Sequence, residues 1–177
     1  DTTWSRGLGD VYKRQGQGYI LATPLQLAMA YSGLANKGVI YHPQFIQPED
    51  EKSFEPKKIA EIQLSDNKAW EKMEQALVDV ISARNGTAHK VFDANSVVIA
   101  GKTGTAQIKS ILPGKEYDAI RENPALRDHA LFVGYGPVKD PKLVVAVIIE
   151  NGESGSEVAA PIVKSAINFY TGGFDAE

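Results

Sequence analysis

Hydrophobic residues recur at helical spacing in three stretches of the chain. The first predicted helix has Thr23 placed as its N-cap and Pro24 at its first position, and the turn-forming run 36–38 marks its end. The second begins near Ser65 or Asp66, either of which is a suitable cap. The third covers residues 159–170. The apolar faces of the three are Leu27, Ala28, Tyr31, Leu34 and Ala35; Trp70, Met73, Leu77, Val80 and Ile81; and Val163, Ala166, Ile167 and Tyr170.

Between the helices, runs of β-branched and aromatic residues predict strands. The last two strands are joined through Gly136-Pro137 and Asp140-Pro141, which are the turn residues of a hairpin. This order of helices, strands and a hairpin predicts an α+β fold with an antiparallel sheet flanked by helices. The predicted strands cover residues 39–46, 59–64, 97–108, 129–135 and 143–150.

Composition narrows the function by exclusion. The chain has 177 residues, 43% of them hydrophobic, and a net charge of −3, which gives no basic surface for nucleic acid. It has no cysteine, and His42, His89 and His129 lack metal-ligand spacing, so we expect neither a thiol nucleophile nor a metal site. The longest apolar run, 143–149, is far shorter than the ~20 residues of a membrane-spanning helix, and we expect any anchor to lie outside this chain.

The segment 100–107 carries the most distinctive chemistry. On a strand, Thr103, Thr105 and Gln107 share one face and Lys102 lies on the other, so two hydroxyls and a nearby ammonium are arranged to bind a carboxylate. Gly104 leaves room for an extended peptide to add to this edge, and the Thr105 N–H is a candidate oxyanion donor. For the tripeptide alone, an ordinary surface strand with a snorkelling lysine and a packing glycine is the better interpretation.

Blocks of sequence spread over residues 16–170 resemble the transpeptidase domain of class B penicillin-binding proteins, and those at 85–90 and 127–129 favour the elongation-specific branch. The blocks are Gly16-Gln17-Gly18-Tyr19, Ala22-Thr23-Pro24-Leu25-Gln26, Asn85-Gly86-Thr87-Ala88-His89-Lys90, Gly101-Lys102-Thr103-Gly104-Thr105-Ala106-Gln107, Leu126-Arg127-Asp128-His129, Val133-Gly134-Tyr135 with Pro137, and Ile149-Glu150-Asn151-Gly152.

The resemblance implies the C-terminal part of a serine acyltransferase fold shared with β-lactamases, with no cofactor. Lys102 would tune the hydrogen bonds around the nucleophile, Thr103 and Thr105 would hold the terminal carboxylate of a D-Ala-D-Ala stem peptide or of a β-lactam, and the Thr105 N–H would stabilise the oxyanion. Proteins of the cell-elongation machinery would be partners, and the periplasmic face of the bacterial inner membrane would be the location. A non-catalytic penicillin sensor or scaffold, a β-lactamase and a D,D-carboxypeptidase remain as alternatives.

The family also requires a Ser-x-x-Lys nucleophile, which we expect to be absent from this chain. Ser65 and Lys68 match the spacing, but they lie at the start of a charged amphipathic helix, where Ser is an ordinary cap. A Ser-His-Asp site built from Asp128, His129 and Ser154 is disfavoured, because Ser154 lacks the nucleophile-elbow spacing and Asp128-His129 reads as structural.

The division of the chain is a separate expectation. We expect residues 1–15 to be a non-native leader that matches nothing in the family, and residues 16–177 to be the C-terminal portion of the domain.

Asn85-Gly86-Thr87 fits a glycosylation sequon, but as the turn that ends a helix it needs no sugar. We also expect the isolated piece to be poorly soluble, because its uncovered apolar faces would be exposed.

Overall fold

The computed structural model describes residues 21–46, 55–66, 68–92, 97–106 and 124–172. The elements in chain order are helix α1 (Pro24–Ala35), strands β1 (Val39–Tyr41) and β2 (Lys58–Glu61), helix α2 (Ala69–Ser82), strand β3 (Ala100–Ala106), a 3₁₀ turn (Pro124–Leu126), strands β4 (His129–Gly136) and β5 (Leu143–Ile149), a π-helical turn (Gly155–Ala159) and helix α3 (Ala160–Tyr170). The predicted α+β class is confirmed.

Helix α1 begins where the sequence predicts. The Thr23 hydroxyl accepts a hydrogen bond from the Gln26 N–H, and the Gln26 side chain accepts one from the Thr23 N–H, which forms a capping box. After the helix, Lys37 and Gly38 have φ values of 50° and 103°. The chain thereby turns into β1, which pairs antiparallel with β2.

The main sheet has the order β3-β4-β5, with both pairings antiparallel. Strand β4 is central and contributes buried residues to both faces, since Phe132 and Tyr135 are three residues apart on a strand. Phe132 belongs to a core with Val163 and Ile167 of α3. The sheet is therefore covered by α3 on one face and by α1 on the other.

The core on the α1 side joins that helix to the sheet. Tyr135 is buried together with Leu77 and Ala100, and Tyr31 of α1 packs against them. Burial raises the pKa of both phenols, Tyr31 and Tyr135, to about 12, because a phenolate would lose its hydration there. For Tyr135, burial is the largest cause of this shift in pKa, and the charges of Glu74 and Tyr31 act in the same direction.

None of the helices in the described ranges is both long enough and apolar enough to span a membrane.

Candidate functional site

Strand β3 lies at one edge of the sheet, since β4 alone pairs with it in the described part of the chain. The register places Thr103 opposite Phe132 and Thr105 opposite Ala130. An edge strand has N–H and C=O groups on its outer side that an extended ligand can pair with. The arrangement therefore matches the edge predicted from the sequence.

The first two residues of β3 are buried, and the residues after them are more exposed. Ala100 and Gly101 are buried, residues 103–105 are half-buried, and Lys102 is exposed. Both threonines are half-buried, so neither side chain is fully enclosed by the protein. In the described ranges, no cluster of histidine, aspartate and glutamate side chains is arranged to hold a metal ion.

The ammonium of Lys102 lies closer to the threonines than strand alternation predicts. Its Nζ donates to the Thr103 carbonyl oxygen at 2.9 Å and to the Thr103 Oγ1 at 3.2 Å. Strand alternation places the Lys102 Cβ on the opposite face, and the flexible four-carbon stem bends back around the strand, which brings the ammonium near Thr103. Partial burial lowers the pKa of Lys102 from its usual value of 10.5.

A third hydroxyl joins this group from outside the strand. Thr87 Oγ1 lies 3.1 Å from Thr103 Oγ1, so the two side chains share a hydrogen bond although they are 16 residues apart in sequence. Thr87 follows α2, in the turn 85–87 that the sequence predicts only as the end of that helix. Its inclusion in a family-like block was the one signal that marked it, and nothing in the sequence indicated contact with Thr103.

The π-helical turn packs against the middle of β3 through Gly155. A Cβ atom at Gly155 would lie 2.8 Å from the Gly104 carbonyl oxygen and would also collide with the carbonyl oxygen of Leu131. The chain at Gly155 therefore approaches β3 and β4 more closely than any residue with a side chain allows. This contact fixes the position of the strand segment that carries the two threonines.

The segment 127–129 holds the loop that leads to this turn. His129 Nδ1 accepts a hydrogen bond from the Asn151 N–H at 2.9 Å, and Asn151 Nδ2 donates to the Arg127 carbonyl oxygen at 3.0 Å. The Glu153 N–H donates to the Asp128 carbonyl oxygen at 2.8 Å. Asp128-His129 therefore has a structural role, as predicted.

The two rejected serines lie in ordinary structural positions. Ser154 is the N-cap of the π-helical turn, where its hydroxyl accepts from the Glu157 N–H at 3.3 Å. Ser65 is exposed before α2, and the predicted capping is wrong in detail, since that helix has no side-chain cap. Asp66 instead accepts from the Lys68 N–H at 2.9 Å and lies two residues before Lys68, the N-cap of the helix.

Some of the sequence predictions concern residues outside the described ranges. These include the side chain of Gln107, the block 16–19 and the segment 1–15. Gln107 as a substrate-binding residue therefore stays a prediction.

The sequence profile described as "Penicillin binding protein transpeptidase domain" matches residues 3–168. The chain belongs to this family. The matched range of the transpeptidase domain begins within the segment 1–15 that we expected to be unrelated to it, and the boundary at residue 16 stays a prediction.

Known members of the transpeptidase family support this assignment in sequence and in fold. Peptidoglycan D,D-transpeptidase MrdA of Haemophilus influenzae is 37% identical over 159 residues, which are 88% of this chain and 24% of that protein. A crystal structure of PBP2 of Pseudomonas aeruginosa superposes with a TM-score of 0.71 at 38% identity, covering 94% of this chain and 34% of that one. PBP2 of Helicobacter pylori in complex with MreC has a TM-score of 0.69 at 25% identity, covering 92% and 28%. The chain thus spans about a quarter of the length of the MrdA relative.

Proposed function

We propose that the chain is the C-terminal portion of a peptidoglycan D,D-transpeptidase of the elongation-specific, PBP2-like branch, and that β3 forms one wall of its active site. The observation that carries the proposal is the edge of β3, which has no partner strand in the described ranges, where two threonines are half-buried and the Lys102 ammonium bonds to Thr103. The H. influenzae relative is a peptidoglycan D,D-transpeptidase, which favours transpeptidation over the β-lactamase, carboxypeptidase and scaffold alternatives.

The reaction needs a serine that lies outside this chain. That serine attacks the carbonyl carbon of the penultimate D-Ala, the peptide bond to the terminal D-Ala breaks, and the leaving amine takes a proton. An amine of a neighbouring stem peptide then attacks the ester, forms the cross-linking amide and returns the serine hydroxyl. A β-lactam reacts at the same serine by opening its ring, and the acyl group stays attached.

The residues of β3 bind and orient the acyl donor in this scheme. The Thr103 and Thr105 hydroxyls donate to the free carboxylate of the donor, and the Thr105 N–H donates to the oxyanion that forms at the attacked carbonyl. Gly104 lies between them, and the absence of a side chain there lets the peptide backbone lie against the strand. Gln107 contributes a further amide on the same face.

Lys102 supplies the positive charge. Burial lowers its pKa, and a bound carboxylate within hydrogen-bonding distance would raise that pKa again, because the ion pair favours the ammonium. Carboxylate binding and protonation of Lys102 are therefore coupled. This coupling would also let Lys102 adjust the hydrogen bonds around the nucleophile.

The relatives also support a proposal for the location and partners of the enzyme. We propose a location on the periplasmic face of the bacterial inner membrane, where the substrate lies. We also propose that the cell-elongation machinery supplies its partners, since the H. pylori relative forms a complex with MreC.

The test uses the full-length protein that carries this sequence and the 177-residue chain alone. The full-length protein should be labelled covalently by a fluorescent penicillin and should cross-link D-Ala-D-Ala peptides, whereas the chain alone should not be labelled. Thr105→Val should slow labelling of the full-length protein. Thr171→Val is the matched control, because the Thr171 hydroxyl bonds to the Ile167 carbonyl oxygen at the end of α3.

Each part of the proposal can fail separately in this experiment. Stoichiometric labelling of the chain alone would reveal a nucleophile within it and would revive Ser65 as a candidate. A full-length protein that binds penicillin without forming a covalent adduct would favour the sensor or scaffold. Rapid release of hydrolysed penicillin would indicate a β-lactamase.

A further inference from the structure

We infer that Thr87 is a positioning residue for ligand binding, and that its hydroxyl directs the proton of the Thr103 hydroxyl toward the carboxylate of the acyl donor. The inference rests on the proposed function, because it concerns the same carboxylate-binding edge. It adds to that edge a residue from the turn after α2.

The turn holds Thr87 rigidly between two close contacts. A Cβ atom at Gly86 would collide with the carbonyl oxygens of Asp79 and Val80, so the turn lies directly against the last turn of α2. On the other side, Ala88 is buried, and its N–H donates to the Val80 carbonyl oxygen at 3.0 Å. The backbone on both sides of Thr87 is therefore held in place, and this keeps its exposed side chain close to Thr103.

The hydrogen-bonding capacity of the Thr103 hydroxyl determines whether Thr87 has to donate or accept in their shared hydrogen bond. A hydroxyl has one proton to donate and two lone pairs that accept. The Lys102 ammonium, which has no acceptor, donates to Thr103 Oγ1 and so occupies one lone pair. If Thr103 donated its proton to Thr87, it would have none left for a ligand carboxylate.

The opposite arrangement leaves the Thr103 proton available. When Thr87 donates to the second lone pair of Thr103 across 3.1 Å, both lone pairs are occupied and the Thr103 proton has to point elsewhere. The outer side of the edge strand, where the ligand carboxylate binds in our proposal, is the direction left to it. A carboxylate accepts only, so its arrival selects this arrangement.

A structural role for the same contact makes a different prediction. If the Thr87–Thr103 bond only tied the turn to the sheet, its loss would disturb all ligands alike. If it orients the Thr103 proton, its loss should disturb only ligands that have a carboxylate for that proton. The two roles are therefore separated by comparing an acid with its ester.

The experiment measures the second-order rate of acylation of the full-length protein by benzylpenicillin and by benzylpenicillin methyl ester. Thr87→Val removes the hydroxyl and keeps the shape of the side chain, whereas Thr87→Ser keeps the hydroxyl. We expect Thr87→Val to slow acylation by the acid about three- to tenfold, which corresponds to one hydrogen bond. Acylation by the ester should stay unchanged, and Thr87→Ser should restore most of the rate with the acid.

Two further variants complete the design. Ser82→Ala is the matched control, because Ser82 lies at the end of α2 and its hydroxyl bonds within that helix to the Val78 carbonyl oxygen at 3.1 Å. Thr103→Val tests the proposed binding of the carboxylate directly. In a Thr103→Val background, Thr87→Val should cause no further loss. Should Thr87→Val fold poorly, Thr87→Ala serves in its place.

The outcomes distinguish the two levels of the argument. Equal losses with acid and ester, or no loss with either, would overturn the role of Thr87 while Thr103→Val still lost rate with the acid alone. If Thr103→Val itself failed to discriminate acid from ester, the proposed carboxylate-binding role of β3 would be wrong, and the role of Thr87 would fall with it.

Discussion

Two glycines of β3 that are three residues apart should respond very differently to a single added methyl group. A Cβ atom at Gly101 would lie 2.7 Å from Cε1 and 2.9 Å from Cζ of the Phe132 ring, and 2.8 Å from the Val133 carbonyl oxygen. A Cβ atom at Gly104 would meet only the Leu131 Cβ, at 3.3 Å. The matched pair Gly101→Ala and Gly104→Ala therefore makes the same chemical change in a closed and in an open place.

The change in unfolding free energy depends on whether the atoms around the added methyl group can move away. Phe132 is fully buried and Val133 contributes backbone of the central strand, so neither can shift freely, and overpacking of this kind costs about 1–3 kcal/mol. Alanine in place of a strand glycine returns roughly 0.5–1 kcal/mol of conformational entropy. We expect a net loss of about 1–2 kcal/mol for Gly101→Ala, and a change within about 0.5 kcal/mol for Gly104→Ala.

Urea unfolding of the full-length protein measures the difference, with the midpoint lowered for Gly101→Ala and the slope unchanged. Acylation by penicillin gives an independent readout, in which Gly104→Ala should be the more damaging variant, because residue 104 lies between the two threonines proposed to bind the ligand. Equal unfolding midpoints for the two variants would refute the packing argument at Gly101.

Two other predictions follow from contacts around the site. Asn151 has a φ of 57°, and its side chain donates to the Arg127 carbonyl oxygen. In urea unfolding, Asn151→Ala should cost about 2 kcal/mol, because it loses the hydrogen bond and strains the backbone, and Asn151→Gly should cost only about 1 kcal/mol, because it loses the hydrogen bond alone. Equal losses for the two variants would contradict the backbone strain at positive φ. Because burial lowers the folded-state pKa of Lys102 below its usual 10.5, the unfolded chain binds more protons between those two values, and stability should rise with pH there. Lys102→Met should lack this rise in unfolding measurements up to pH ~11, and an identical pH profile for both proteins would argue against the shift.

The elements that local chemistry determines were predictable from the sequence. Thr23 and Pro24 define the start of α1 by side-chain and backbone preferences that act within four residues. The hairpin strands β4 and β5 agree with the predicted ranges to within a residue, because their apolar runs are bounded by Gly136-Pro137 and Asp140-Pro141. Strand β1 is shorter than predicted and ends before Pro43, which has no N–H for the ladder.

The parts of the site that depend on tertiary contact were not predictable from pattern alone. Periodicity placed Thr103 and Thr105 on one face of an edge strand, but it could not bring Thr87 to Thr103 or Gly155 to Gly104. Periodicity also assigned Lys102 to the opposite face, because it describes Cβ directions and not the reach of a long side chain. The π-helical turn before α3 was not predicted either, because it depends on the packing of Gly155 against β3 and β4 and not on local hydrophobic spacing.

The pair Tyr31 and Tyr135, which joins α1 to the sheet, gives the protein its own optical indicator. The chain has seven tyrosines, and these two ionise near pH 12 instead of 10.0. Phenolate formation changes ultraviolet absorbance, so an alkaline titration should show two late phenols as long as the helix stays docked. If the helix undocks, those two phenols should ionise at lower pH, and undocking becomes visible without any label.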